Sequence, residues 1–220
     1  MPVAYKPPAT SRAPKSVRDF IAAHIDMQFA DVHAMLRLPL SEDGLQAGCN
    51  FACVSTLCGL IAGASTIFYR QSGSNAERFK GVLNDYYPWR LQPKGGASQA
   101  ESVAAIYADY RNPLAHAWAV STKEVGKHPN KRIIMDGGAK VLGVVKQALT
   151  EEAVAALETS TGKAPSWLTP VVVRNAAAGF DLYPHSLYWG TRRMVEKLAG
   201  DRTRMQQTVA MFATMTTPAP

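Results

Sequence analysis

The sequence predicts a mainly α-helical protein that carries one small β-hairpin insertion. Three observations predict this. Apolar residues recur at i, i+3 and i+4 along most of the chain. Capping residues open these stretches, and Pro or Gly closes them. The period changes at Arg132–Val145, where two β-prone runs flank Asp136-Gly137-Gly138.

The first helix is expected over about 16–37. Ser16 is its N-cap, Val17, Phe20, Ile21, Ile25, Phe29, Val32 and Leu36 belong to its apolar face, and Pro39 stops it. The second, about 45–71, lies in an uncharged stretch from Gly44 to Tyr69. That stretch is long enough to cross a bilayer. Its Asn50, Ser55, Thr56, Ser65, Thr66 and four glycines make it instead a central bundle helix, buried nearly all round. Asn75 caps a third helix with Phe79, Val82, Leu83 and Tyr86 inward, ended by Pro88. Ser98 and Glu101 form a capping box for a fourth, with Val103, Ile106, Tyr107 and Tyr110 on one face and a kink at Pro113.

The hairpin insertion occupies about 131–146. Thr150 caps a helix over about 150–160, a short helix is expected near 166–178, and an amphipathic helix spans Pro184–Ala199. Asp201 caps the last helix, about 201–214. Residues 1–15, with Pro2, Pro7, Pro8 and Pro14, read as a disordered N-terminal arm, and 16–215 as a single domain.

Composition narrows the function classes. With 47% apolar residues among 220, the chain can bury a proper core. A net charge of +7 suits an anionic partner such as nucleic acid, although no run of five or more Lys/Arg occurs. Cys49, Cys53 and Cys58 cluster in the uncharged stretch. They fit neither a disulfide framework nor a zinc-finger spacing and read as buried, reduced thiols of a cytoplasmic protein. The N-terminus has no apolar core of a signal peptide. No cofactor, metal or membrane is expected.

The phosphate-cradling Gly-x-x-x-x-Gly-Lys, the dinucleotide Gly-x-Gly-x-x-Gly, His-Glu-x-x-His and Gly-x-Ser-x-Gly are all absent. The most informative polar segment is Arg111-Asn112-Pro113-Leu114-Ala115-His116. Arg111 is a permanent cation whose fork matches phosphate oxygens. His116 titrates near neutrality and moves protons. Asn112 can orient either neighbour. Pro113 at a helix start is expected to leave backbone N–H groups facing an anion. Together they suit phosphodiester cleavage without a metal, Arg111 and His116 being the catalytic pair. Tyr110, Asn112, Lys127 and Arg132 are the expected substrate-binding residues. The plainer alternative is a helix-terminus arginine bonded to carbonyls or Asp109, with a packed core histidine. Arg18 and His24 fit a looser form of the pattern but are set aside, because a regular helix points them in different directions.

This Arg–polar–x–x–x–His string, preceded by Tyr107 and Tyr110, resembles the hallmark of the HEPN superfamily (higher eukaryotes and prokaryotes nucleotide-binding). Cys49-Asn50-Phe51-Ala52, Glu77-Arg78-Phe79-Lys80 and Tyr86-Tyr87-Pro88-Trp89 look like a bacterial branch of it, and the resemblance covers roughly 16–122. It implies an up-and-down helical bundle and a homodimer in which two copies of the motif face each other. It also implies a metal-independent endoribonuclease of a toxin or antiphage system acting on RNA, regulated by an antitoxin or similar protein. Members lacking activity serve as modules that bind a partner protein or nucleotide.

Overall fold

Where Val17, Ile21, Ile25, Phe29, Val32 and Leu36 recur, the chain forms one uninterrupted helical rod with these residues buried. In the computed structural model, α1 (Lys15–Phe20) runs through a π-helical stretch, Ile21–Asp26, into α2 (Met27–Leu36). The structure describes residues 5–36, 50–69, 73–91, 98–117, 171–173, 180–182 and 184–216. The π-helical stretch fits the spacing of the buried residues. Residues 17, 21, 25 and 29 repeat in steps of four. In an α-helix of 3.6 residues per turn, three such steps swing the face by about 120°. A wider turn lets all of them stay inward. Ser16 is not the cap: the helix opens one residue earlier, after Pro14, and Lys15 pairs with Asp19 at 2.6 Å.

Helix α3 (Asn50–Ile67) is the central element, in contact with α2, with α4 (Asn75–Tyr86) and with α7 (Pro184–Gly200). It buries Cys53, Val54, Leu57, Cys58, Leu60, Ile61 and Ala64. The expectation of burial nearly all round is not met, because Ala52, Ser55, Gly59 and Thr66 are exposed on its other side. Among the described residues no helix is long and apolar enough to cross a membrane.

Helix α4 is capped by Ser74, not by Asn75. The Ser74 hydroxyl accepts from the Glu77 N–H at 3.2 Å, and the Glu77 carboxylate takes the Ser74 N–H at 2.6 Å. Asn75 is the first helical residue, and its side chain receives the Arg78 guanidinium. Gly73 just before has φ +136°, and a Cβ there would meet the Glu77 carboxylate. Pro88 ends the helix as expected: Tyr87 is already extended, and a 3₁₀ turn, Trp89–Leu91, follows. The Ser98–Glu101 capping box forms at the start of α5 (Gln99–Ala105).

The short helix expected near 166–178 is replaced in part by a strand. β1 (Val171–Val173) pairs antiparallel with β2 (Phe180–Leu182), with Val172 opposite Asp181. Three consecutive β-branched valines favour the extended backbone over a helix. Pro184 then opens α7 at the first helical position, where its missing N–H costs nothing. Asp201 caps α8 (Arg202–Thr216) as expected, accepting from the Arg204 N–H at 3.1 Å. The hairpin at 131–146 and the helix at 150–160 lie outside the described residues.

Residues 5–13, expected as part of a disordered arm, lie against the body. Tyr5 donates to Asp26 and packs on His33, Ala13 is buried, and Arg192 donates to the Pro7 carbonyl at 3.1 Å. Prolines that exclude helix still permit an extended strap with side-chain anchors.

Two stability predictions follow from this packing. A Cβ at Gly190 would lie 2.1 Å from the buried Tyr87 ring, which is wedged against Trp89. Gly190→Ala gains about 1 kcal/mol of helix propensity and meets overpacking of about 1–3 kcal/mol. The expected result is a lower urea midpoint. The carboxylates of Glu77 and Glu101 are held below their ordinary range by hydrogen bonds from their capping serines, and Asp201 by the Tyr86 hydroxyl. Their contribution is complete above the unfolded-state values and is lost as pH falls through the depressed ones. Urea midpoints should therefore fall between about pH 6 and pH 3, and less steeply in a Glu77→Gln/Glu101→Gln variant.

Candidate functional site

The motif segment is the continuation of α5. After Ala105 the chain enters a second π-helical stretch, Ile106–Arg111, and passes directly into α6 (Asn112–Ala117). A proline inside an α-helix collides with the carbonyl four residues back and leaves it without a donor. Here the turn before Pro113 is widened, and the Asn112 N–H reaches the Tyr107 carbonyl five residues back. Pro113 is thus absorbed into the helix and does not restart it. Asn112 keeps helical backbone angles, φ −67° and ψ −51°, and its N–H is spent on Tyr107. The expected anion nest of free N–H groups at Pro113 is therefore not formed at Asn112.

The π-helical stretch carries both core and surface side chains. Ser102, Ile106 and Tyr110 repeat in steps of four and are all buried, and Leu114 packs on the same core. Tyr110 is fully buried, so it belongs to the core and does not contact a substrate as expected. Arg111, one residue on, is half-buried at the surface. Its Nη1 donates to Asn112 Oδ1 at 2.7 Å, and its guanidinium carbon lies 5.7 Å from the centre of the Tyr107 ring. Asn112 therefore orients Arg111, one of the two roles open to it.

The Tyr107 ring carries a second cation. Lys80 Nζ, from α4, lies 5.1 Å from its centre, and Phe79 packs against it at 5.4 Å. Among the described residues no carboxylate pairs with Arg111. Each cation gains from the ring quadrupole, but neither is neutralised by it. Lys80 was absent from the residues singled out in the sequence, because its approach to Tyr107 depends on how α4 packs beside α5. Its only local signal is its place in the Glu77-Arg78-Phe79-Lys80 segment.

Beside Arg111 is a half-open cavity of about 310 Å³, lined by Ala62, Gly63 and Thr66 of α3 and by Asn75 and Phe79 of α4. On α3, the buried Cys58 feels the same arginine: its thiol is pushed up to about 12 by burial and pulled back only in part by the Arg111 charge. It stays protonated at neutral pH and is no nucleophile.

No protein-family model matches the chain, and no curated protein or solved structure matches it. The chemistry of this site rests on its own residues. His116 stands in the last turn of α6, and its side chain is outside the described part. Lys127 and Arg132 also lie outside the described residues. Among the described residues no group of His, Cys, Asp or Glu is arranged to hold a metal ion.

The other Arg–His pair, Arg18 and His24, was set aside on the ground that its helix is regular. That ground is wrong, since His24 lies within the first π-helical stretch. The pair is separated for another reason: Arg18 turns back to the Ala13 carbonyl at 2.7 Å, and His24 stacks on Phe20 at 4.7 Å.

Burial of Cys53 and Cys58 gives a direct check of this region. Alkylation mapped by mass spectrometry should leave both unmodified in the native protein and label both in urea. Labelling of native Cys58 at the rate of a free thiol would contradict the packing of the Ile106–Arg111 stretch and α6 on α3.

Proposed function

We propose that the chain is a metal-independent endoribonuclease of HEPN type, with Arg111 and His116 acting on the scissile phosphate. The observation that carries this reading is that Arg111 lines a cavity and shares the Tyr107 ring with Lys80, while among the described residues no carboxylate pairs with Arg111. A site of this kind attracts a phosphodiester and stabilises added negative charge on it. His116, five residues beyond Arg111, supplies the one group of the motif that titrates near neutrality.

In this reading His116 takes the proton of the ribose 2′-hydroxyl. The 2′-oxygen bonds to phosphorus, the bond from phosphorus to the 5′-oxygen breaks, and the departing 5′-oxygen takes the proton back from the His116 imidazolium. Arg111, steadied by Asn112, carries the charge of the five-coordinate phosphorane. The bundle is of the up-and-down type, and two copies bring their motifs together across a dimer cleft. The biological setting is a toxin or antiphage system restrained by a regulatory protein such as an antitoxin.

The test is cleavage of a labelled RNA in the presence of a metal chelator. His116→Ala should lower the rate about 10²–10⁴-fold, and Arg111→Ala about 10²–10³-fold, with unchanged circular dichroism. Wild-type rates in both variants would refute the assignment. Saturable RNA or nucleotide binding without any turnover by the unmutated protein would replace it with a non-catalytic module.

A further inference from the structure

A second, larger groove lies away from Arg111, at the opposite end of α4. It has a volume of about 1160 Å³ and is walled by the end of α4, the turn Pro88–Arg90, α7 and the N-terminal strap. Asn75, beside the Arg111 cavity, and Tyr86, in this groove, are separated by the length of α4, about 16 Å at 1.5 Å per residue.

Four cations line the groove: Arg12, Arg90, Arg193 and Lys197. Its two carboxylates, Asp85 and Glu196, are already engaged. Asp85 takes the Tyr69 hydroxyl, and Glu196 takes the Ala9 N–H at 3.1 Å and Arg193 at 2.8 Å. Lys197 donates to the Asp85 backbone carbonyl at 2.6 Å and lies 5.2 Å from the Tyr86 ring, so its charge is anchored but not cancelled. Arg12 and Arg90 are exposed, and among the described residues neither is paired with a carboxylate. The groove therefore holds a net positive charge with its anions spent internally.

It also has a rigid flat wall. The Trp89 indole N–H donates to the Leu83 carbonyl at 2.8 Å, and its ring rests against Tyr87 at 4.4 Å. The ring is half-exposed, so one part of it is locked while the rest meets the groove. Separated cations that follow a backbone, beside an aromatic surface on which a base stacks, are the recognition chemistry of single strands. An acidic peptide would use the cations but has no use for the flat wall.

We infer that this groove binds single-stranded RNA, stacking a base on Trp89 and holding the flanking phosphates with Arg12, Arg90 and Lys197. The choice of RNA rests on the ribonuclease reading, and a strand bound in both places would run along α4 from the groove to Arg111. This makes the groove a substrate-holding site remote from the bond that breaks.

The experiment is anisotropy of a labelled oligouridylate with the full chain, in an Arg111→Ala background that suppresses turnover, at several salt concentrations. An Arg12→Glu/Arg90→Glu change should weaken binding at least tenfold and reduce the log–log salt slope by about 1.4, since each neutralised phosphate of a single strand contributes about 0.7. Trp89→Phe should retain most of the affinity, and Trp89→Ala should lose roughly tenfold. Unchanged affinity and slope in the charge-reversal variant, with native circular dichroism, would overturn the inference. So would competition by uridine monophosphate at oligonucleotide concentrations, which would mark a mononucleotide pocket. If the groove variants lose binding while the unmutated protein cleaves nothing, only the ribonuclease reading fails. If RNA is cleaved and the groove variants bind normally, only this inference fails.

Discussion

Helix α3 carries no charge along its whole length, and the other helices are arranged by the need to cover one side of it. Leu57, Ile61, Cys53 and Val54 are fully buried by α2, α4, α7 and the π-helical stretch that ends at Arg111. Burial of such side chains is worth about 1.5–3 kcal/mol each for Val, Leu or Ile. No surface ion pair here approaches that sum: the Lys15–Asp19 pair is exposed and is worth about 0.2–1 kcal/mol at most. The position of Arg111 is a consequence. It lies on the residue after Tyr110, which is fixed in the core beside α3, and so it emerges at the rim of that core.

The two π-helical stretches among the described residues contribute to the same core. Both occur where buried residues repeat in unbroken steps of four: 17, 21, 25 and 29 in one, 102, 106 and 110 in the other. That spacing does not by itself require a π-turn, since Leu187, Thr191, Val195 and Ala199 are buried in the same steps of four in the regular helix α7. The second stretch has an added role, because it widens the turn that Pro113 would otherwise break. Core packing and the cation site are thus set by one local feature of the backbone.

Much of this was legible from residue types. Ser98–Glu101, Pro88, Pro184 and Asp201 act locally, through one or two hydrogen bonds or a missing one, and they mark their helix ends as expected. What was not legible depended on alternatives of nearly equal local energy. Ser74 and Asn75 both favour the cap, and the glutamate three residues after Ser74 decides between them. The steps of four were visible, but they were read as ordinary α-helical spacing. Tyr110 stood both on the apolar face of its helix and among the expected substrate-binding residues, and its burial decides for the first. Lys80, Arg12 and Arg90 come into play only through tertiary packing, which no local pattern encodes.

The distribution of charge links these points to function. A net charge of +7 by itself describes only a basic surface. In the folded chain some basic residues serve structure: Arg18 closes on the Ala13 carbonyl, and Arg204 binds the Tyr69 carbonyl at 3.1 Å and lies over its ring. Among the described residues no carboxylate forms an ion pair with Arg111, near one end of α4, or with Arg12 and Arg90, near the other. Folding would be no weaker if carboxylates stood beside them, since exposed pairs neither add nor remove much stability. Stability is thus indifferent to whether these cations are paired, and under the proposed function an external anion is what would pair them. Two such places at the ends of one rigid helix favour an extended polyanion over a small one.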